Sequence, residues 1–145
     1  MTKIIQQSIK LANELFSESY DTTGRYRAYH FSFLYERNKL LSIGQNNYEM
    51  NAKALKFAKK FGVYGKIEHC TLHSEISCIA RLWGRVRVGP NLTLVNLRIS
   101  KKYNLCNSRP CSDCFKVLQA LDIHKIYYSD SEGNIVKWTE NLTNC

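Results

Sequence analysis

The sequence has no apolar run near the ~18 residues needed to cross a bilayer, which excludes a helical membrane span. No Gly/Ser/Pro-rich linker, low-complexity stretch or internal repeat divides it, so residues 1–145 are expected to form a single domain. The start, Met1-Thr2-Lys3-Ile4-Ile5-Gln6-Gln7, lacks the apolar core and small-residue cleavage site of a secretory signal. That predicts a cytoplasmic or other reducing intracellular location, and the six cysteines then read as thiols or metal ligands before disulfides. Acidic residues are also scarce, with 12 Asp+Glu against 21 Lys+Arg, a net charge of +9. What is present is ordinary for a globular protein: 44% hydrophobic and 23% charged residues exclude a disordered chain. A chain of 145 residues buries enough surface to fold without a disulfide or metal.

The basic excess is local. Residues 50–110 hold twelve basic residues and only two acidic ones, Glu68 and Glu75, whereas the rest of the chain is close to neutral. Such a segment suits a polyanion, although a solvated, solubilising face has the same composition.

Hydrophobic spacing predicts the order α-β-β-(α)-α-β-α-β-β. A helix is expected over 3–18, with Ile5, Ile9, Ala12 and Phe16 on its buried face and Leu11 and Leu15 beside it. Residues 26–36 alternate as a strand, with Tyr29, Phe31, Phe33 and Tyr35 directed to the core, and 39–46 form the next strand. A short amphipathic helix over 49–61 places Lys53, Lys56 and Lys60 opposite Met50, Ala54, Phe57, Ala58 and Phe61. A Gly-containing loop, 62–70, leads to a helix over 72–83. A strand over 91–99, apolar on both faces, precedes a loop over 100–110 and a helix over 111–121. Strands at 125–129 and 134–138 close the chain as an antiparallel hairpin. The result is a mixed α/β layer fold with helices against one sheet.

Two motifs open predicted helices: His73-Ser74-Glu75 and Pro110-Cys111-Ser112-Asp113-Cys114. Residue frequencies give both, in this order and at helix starts, in roughly one sequence per thousand of this composition. Cys111 and Cys114, three apart, share a helical face and can reach one ion. A helix start stabilises thiolates through its free N–H groups. His73 adds an imidazole, and three protein ligands leave a fourth tetrahedral position for water, the catalytic form of a zinc site. Glu75, two residues from His73, is placed to move that water's proton. A closed structural site is the rival reading, with Cys106 or Cys78 as fourth ligand. Otherwise Cys70, Cys78 and Cys106 are expected as buried thiols and Cys145 as a tail thiol. His30 is expected as a partly buried strand histidine, and His69 and His124 as surface residues. Trp83 is read as a packing residue that precedes the basic Gly84-Arg85-Val86-Arg87.

These residues resemble the zinc-dependent cytidine deaminase superfamily, whose signature they match. Gly44-Gln45-Asn46 after the second strand is similar to the Gly-x-Asn those enzymes carry there, and the element order is compatible over about residues 3–138. The resemblance implies a three-layer α-β-α fold with a five-stranded mixed sheet and an antiparallel C-terminal hairpin. It implies that His73, Cys111 and Cys114 ligate Zn2+, that Glu75 is the proton shuttle, and that Asn46 contacts the sugar or base. The Ser74 backbone would face the amino group being replaced, at a position where most relatives carry Ala. The implied reaction replaces the C4 amino group of cytosine, or C6 of adenine, with oxygen from water. In relatives the stretches after the second strand and before the Pro-Cys motif border the pocket. Here they hold Tyr48, Lys53, Lys56, Lys101, Lys102, Tyr103 and Arg109, suited to phosphates and stacked bases. Tyr48, Tyr103 and Arg109 are thus expected to bind substrate.

The expected function is deamination of cytosine to uracil in a phosphate-bearing substrate: a cytosine-containing nucleotide or a single-stranded nucleic acid. One alternative is deamination of free cytidine, deoxycytidine or a monophosphate. The C-terminal hairpin motivates it, because free-nucleoside cytidine deaminases resemble this topology, whereas tRNA and deoxycytidylate deaminases tend to place a helix between the last two strands. A second alternative is a non-catalytic binding or structural protein, against which the intact Glu75 speaks. Many free-cytidine deaminases of similar fold are oligomers, so the resemblance allows a dimer or tetramer.

Overall fold

The computed structural model describes residues 2–19, 28–47, 52–61, 72–85 and 87–139. Within them lie helices α1 (Thr2–Ser19), α2 (Ala52–Lys60), α3 (Ser74–Leu82) and α4 (Ser112–Ala120). The strands are β1 (Ala28–Glu36), β2 (Lys39–Gln45), β3 (Leu92–Ser100), β4 (Leu105–Cys106), β5 (Lys125–Ser129) and β6 (Ile135–Lys137). The sheet runs β2-β1-β3-β5-β6, with β4 paired to the far end of β3. All pairings are antiparallel except β3 with β5. None of the described helices is long and apolar enough to cross a membrane.

Two apolar cores flank the sheet, giving the expected three layers. On one face α1 covers Tyr29, Phe31, Phe33 and Tyr35 of β1 and Val95, Leu97 and Ile99 of β3. All four aromatic side chains are fully buried, as their alternation predicts. On the other face Ile76 and Ile79 of α3, Ala54 and Phe57 of α2 and Val117 and Leu118 of α4 pack on Leu34, Leu92 and Leu94. β3 is thus buried on both faces and reads as a nearly continuous apolar run.

Three expectations are corrected. The buried stripe of α1 is Ile4, Ser8, Ala12 and Phe16, one residue round from Ile5-Ile9. Ser8 can occupy the centre of that stripe because its hydroxyl is satisfied by the Ile4 carbonyl at 2.7 Å and the Tyr35 hydroxyl at 2.8 Å. The continuous path of the sheet has the expected five strands, and β4 is a sixth that pairs off this path. Loop 100–110 contains β4, which a turn at Tyr103 (φ 64°) folds back onto Arg98 and Ile99. Two residues are too few for periodicity to reveal. Cys106 is only partly buried. Its sulfur meets the Arg98 carbonyl at 3.7 Å on this short outer strand.

The C-terminal hairpin is present, with Tyr127 paired to Lys137 and Ser129 to Ile135. Its turn is closed by Asp130, whose carboxylate accepts from the backbone N–H groups of Glu132 and Asn134, both at 2.9 Å. The start of helix 49–61, the strand start at 26–27, and loop 62–70 lie outside the described residues.

Candidate functional site

The site is assembled where β2 ends and α3 begins. Beyond β2, Asn47 exchanges two backbone hydrogen bonds with Leu72, at 2.7 and 3.0 Å, which fixes the residue before His73. α3 lies directly on β2 because Gly44 has no side chain. A Cβ there would overlap the Ser74 carbonyl and the Cys78 backbone nitrogen. Ser42 reinforces the contact by donating to the Cys78 carbonyl at 2.8 Å. The Gly44-Gln45-Asn46 and His73-Ser74-Glu75 segments are therefore one packed unit.

His73 is the N-cap of α3 and Cys111 the N-cap of α4, both with extended backbone. The Cys111 sulfur accepts from the Cys114 N–H at 3.4 Å, as a capping group does. The His73 Nδ1 lies 3.6 Å from the Cys111 sulfur and 3.4 Å from the Cys114 sulfur. All three donor atoms fall within 4.8 Å of one another. Donors bound tetrahedrally to zinc at about 2.0–2.3 Å stand about 3.6 Å apart, so this geometry fits that ion. Neither Cys78 nor Cys106 joins the cluster among the described residues. Cys78 is a fully buried thiol, pushed up to about 12 chiefly by burial.

The electrostatics also suit a cation. A hydrogen bond from Cys114 holds the Cys111 thiol down at about 3, with His73 adding to the effect against the cost of burial. Sharing that bond pushes Cys114 up, and burial adds to it. Hydrogen bonding to Cys111 raises the pKa of His73, burial opposing. Glu75, only 5% exposed, lies near enough to Cys114 to add to the rise of its pKa.

These groups wall a cleft of about 210 Å3, which His73, Ser74, Glu75 and Cys111 share with Asn46 and Arg109. It is smaller than the roughly 300–1,000 Å3 pockets that take drug-sized ligands and suits a single ring. The Asn46 carboxamide oxygen accepts the His30 backbone N–H at 2.9 Å, which fixes that side chain at the rim. The exposed Arg109 lays its guanidinium over the Trp138 ring, 4.4 Å from the centroid. Trp138 in turn stacks on Phe115 of α4 at 4.2 Å.

Of the residues singled out in the sequence, His73, Cys111, Cys114, Glu75, Ser74, Asn46 and Arg109 come together. Tyr103 does not line the cleft: its ring packs edge-on against Phe16 of α1 at 4.9 Å. Tyr48, Cys70, His69 and Cys145 lie outside the described residues. Trp83 packs against Phe57 and Phe61, with the Lys60 ammonium over its ring. His124 is exposed and pairs with Asp122 at 2.7 Å.

Two polar residues among the described cleft lining, His30 and Ser108, are not expected there from the sequence. Hairpin register points to His30. β1 and β2 pair from Glu36 and Lys39, and a bulge at Leu34/Tyr35 shifts the ladder by one residue, bringing Asn46 beside His30. The bulge has no sequence signal. Ser108 is buried, its N–H donating to the Ser129 carbonyl and its hydroxyl to the Asn96 carbonyl, a long-range arrangement that no local pattern encodes.

No protein-family model matches the chain, and no curated protein matches it significantly. Solved structures do. The dCMP deaminase of cyanophage S-TIM5, in complex with dCMP and dUMP, aligns with a TM-score of 0.55 at 16% identity, covering 90% of this chain and 84% of that one. Its apo form aligns with a TM-score of 0.52 at 16% identity, covering 88% and 83%. The cytidine deaminase of Mycobacterium leprae gives 0.50 at 18% identity, covering 89% and 88%. The chain has the cytidine deaminase-like fold, and the donor atoms of His73, Cys111 and Cys114 are close enough together to hold a metal ion.

Proposed function

We propose that the chain is a zinc-dependent hydrolytic deaminase that converts cytosine to uracil in a phosphate-bearing substrate, a nucleotide or a single-stranded nucleic acid. The observation that carries this reading is the buried Glu75 carboxylate beside the three converging donors in a one-ring cleft. His73, Cys111 and Cys114 hold the metal. Bound there, zinc supplies Lewis acidity that brings the pKa of a water near 7. Glu75 would take a proton from the attacking water and return it to the departing amino group, so that cytosine and water become uracil and ammonia. Asn46 and the Ser74 backbone orient the base, and Arg109 at the mouth meets a phosphate. A second reading, turnover of free cytidine or deoxycytidine, draws on the β5–β6 hairpin.

The test is mass spectrometry on a panel of cytidine, deoxycytidine, their monophosphates and single-stranded oligonucleotides incubated with the zinc-loaded protein. Uracil is expected in the monophosphates or oligonucleotides. Turnover confined to the nucleosides supports the second reading, and turnover of none removes both.

A further inference from the structure

A row of buried polar side chains leaves the site and crosses the sheet. Ser74 donates to the Glu75 Oε1 at 2.8 Å. Its oxygen lies 2.8 Å from the Ser32 hydroxyl, which lies 2.6 Å from the Asn96 Oδ1. Ser32 and Asn96 are register partners on β1 and β3. The Asn96 Nδ2 donates to the Ser108 carbonyl at 3.4 Å, and Ser108 returns a bond to the Asn96 carbonyl at 2.7 Å. Ser32, Ser74, Asn96 and Ser108 are all at most 5% exposed. Ser108 is followed by Arg109, Pro110 and Cys111.

We infer that Ser74, Ser32 and Asn96 are positioning residues, which set the Glu75 carboxylate relative to the loop that carries Cys111. This deepens the deaminase reading and rests on it. Two hydroxyl protons serve the three short oxygen contacts. The Glu75 Oε1 takes the Ser74 proton. The Ser32 hydroxyl donates toward both the Ser74 oxygen and the Asn96 Oδ1, and this shared proton keeps Ser74 in line. Burying these groups is costly unless they are paired, so a purely structural core would be served as well by apolar residues. The row also ties the two halves of the site, which arise on different helices, through a rigid strand pair. A small displacement of a proton-transfer group lowers turnover steeply, and the sheet is the stiffest support available for it.

Ser32 does not line the cleft, so its effect can be separated from substrate contact. Ser32→Ala and Ser74→Ala, each with zinc content matched to wild type, are expected to lower kcat about tenfold and to leave KM within about twofold. An unchanged kcat, or a fall only in proportion to the zinc-loaded fraction, overturns the inference. A second readout needs no turnover. In urea unfolding of the zinc-loaded protein, Ser74→Ala is expected to change the unfolding constant at least about fivefold more in wild type than in the Glu75→Gln background. Equal changes in both backgrounds overturn the inference. If wild type converts no cytosine compound, the deaminase reading fails, and this coupling alone decides whether Ser74 holds Glu75.

Discussion

His30 stands on β1 facing the cleft, opposite Arg98 of β3. Burial first, then the Arg98 charge and that of His73, lowers its pKa from 6.5 to about 4. The imidazole is therefore neutral at pH 7 and adds no charge to that of Arg109 in the cleft lining. The linkage has a definite sign. Between pH 6.5 and pH 4 the unfolded chain binds more protons than the folded one, so stability falls as pH falls through this window and changes no further below it. The shift corresponds to about 3 kcal/mol. The unfolding free energy of wild type minus that of His30→Gln should fall by about this amount from pH 7 to pH 4, because acid effects on the other groups cancel in the difference. A difference that does not vary with pH would contradict a buried neutral imidazole.

At the scale of elements, the contact of α3 with β2 positions the site, and Gly44 permits it. Gly44→Ala is expected to push α3 off the strand, with a cost of about 1–3 kcal/mol in urea unfolding and a loss of zinc affinity from the displaced His73. Unchanged stability and zinc affinity would show that the helix has room. The two helix-start motifs and Gly44-x-Asn46 are legible in the sequence because their chemistry is local: a cap, a three-residue spacing and a missing side chain. The alternating aromatic residues of β1 are legible for the same reason. What stays hidden depends on long-range pairing. The face of α1 is rotated because Ser8 finds Tyr35, 27 residues away. Asn46 reaches His30 through a bulge, and Arg109 is seated by Trp138 from beyond β6. Tyr103 belongs to the expected mouth by position in the chain, yet its positive φ and β4 turn it onto α1.

At the scale of the whole molecule, charge and chemistry occupy one stretch of chain. Part of the basic excess has a structural use: Lys53 reaches the last-turn Arg81 carbonyl of α3 at 3.2 Å, and Lys60 covers Trp83. Lys56, Lys59, Arg81, Arg85 and Arg87 remain exposed on α2 and around the C-terminal end of α3, a surface of positive charge. The layered fold places this surface and the cleft on the same side of the sheet as the α3 core. The proposed hydrolytic deaminase centre consists of Glu75 and the His73, Cys111, Cys114 cluster. It is tested most directly by following cytosine-to-uracil conversion in deoxycytidine monophosphate and single-stranded oligonucleotides, with wild type and Glu75→Gln loaded with equal zinc. Conversion by wild type and a loss of about 10²–10⁴-fold in the variant is the expected result. Equal conversion by both proteins, or conversion by neither, would contradict it.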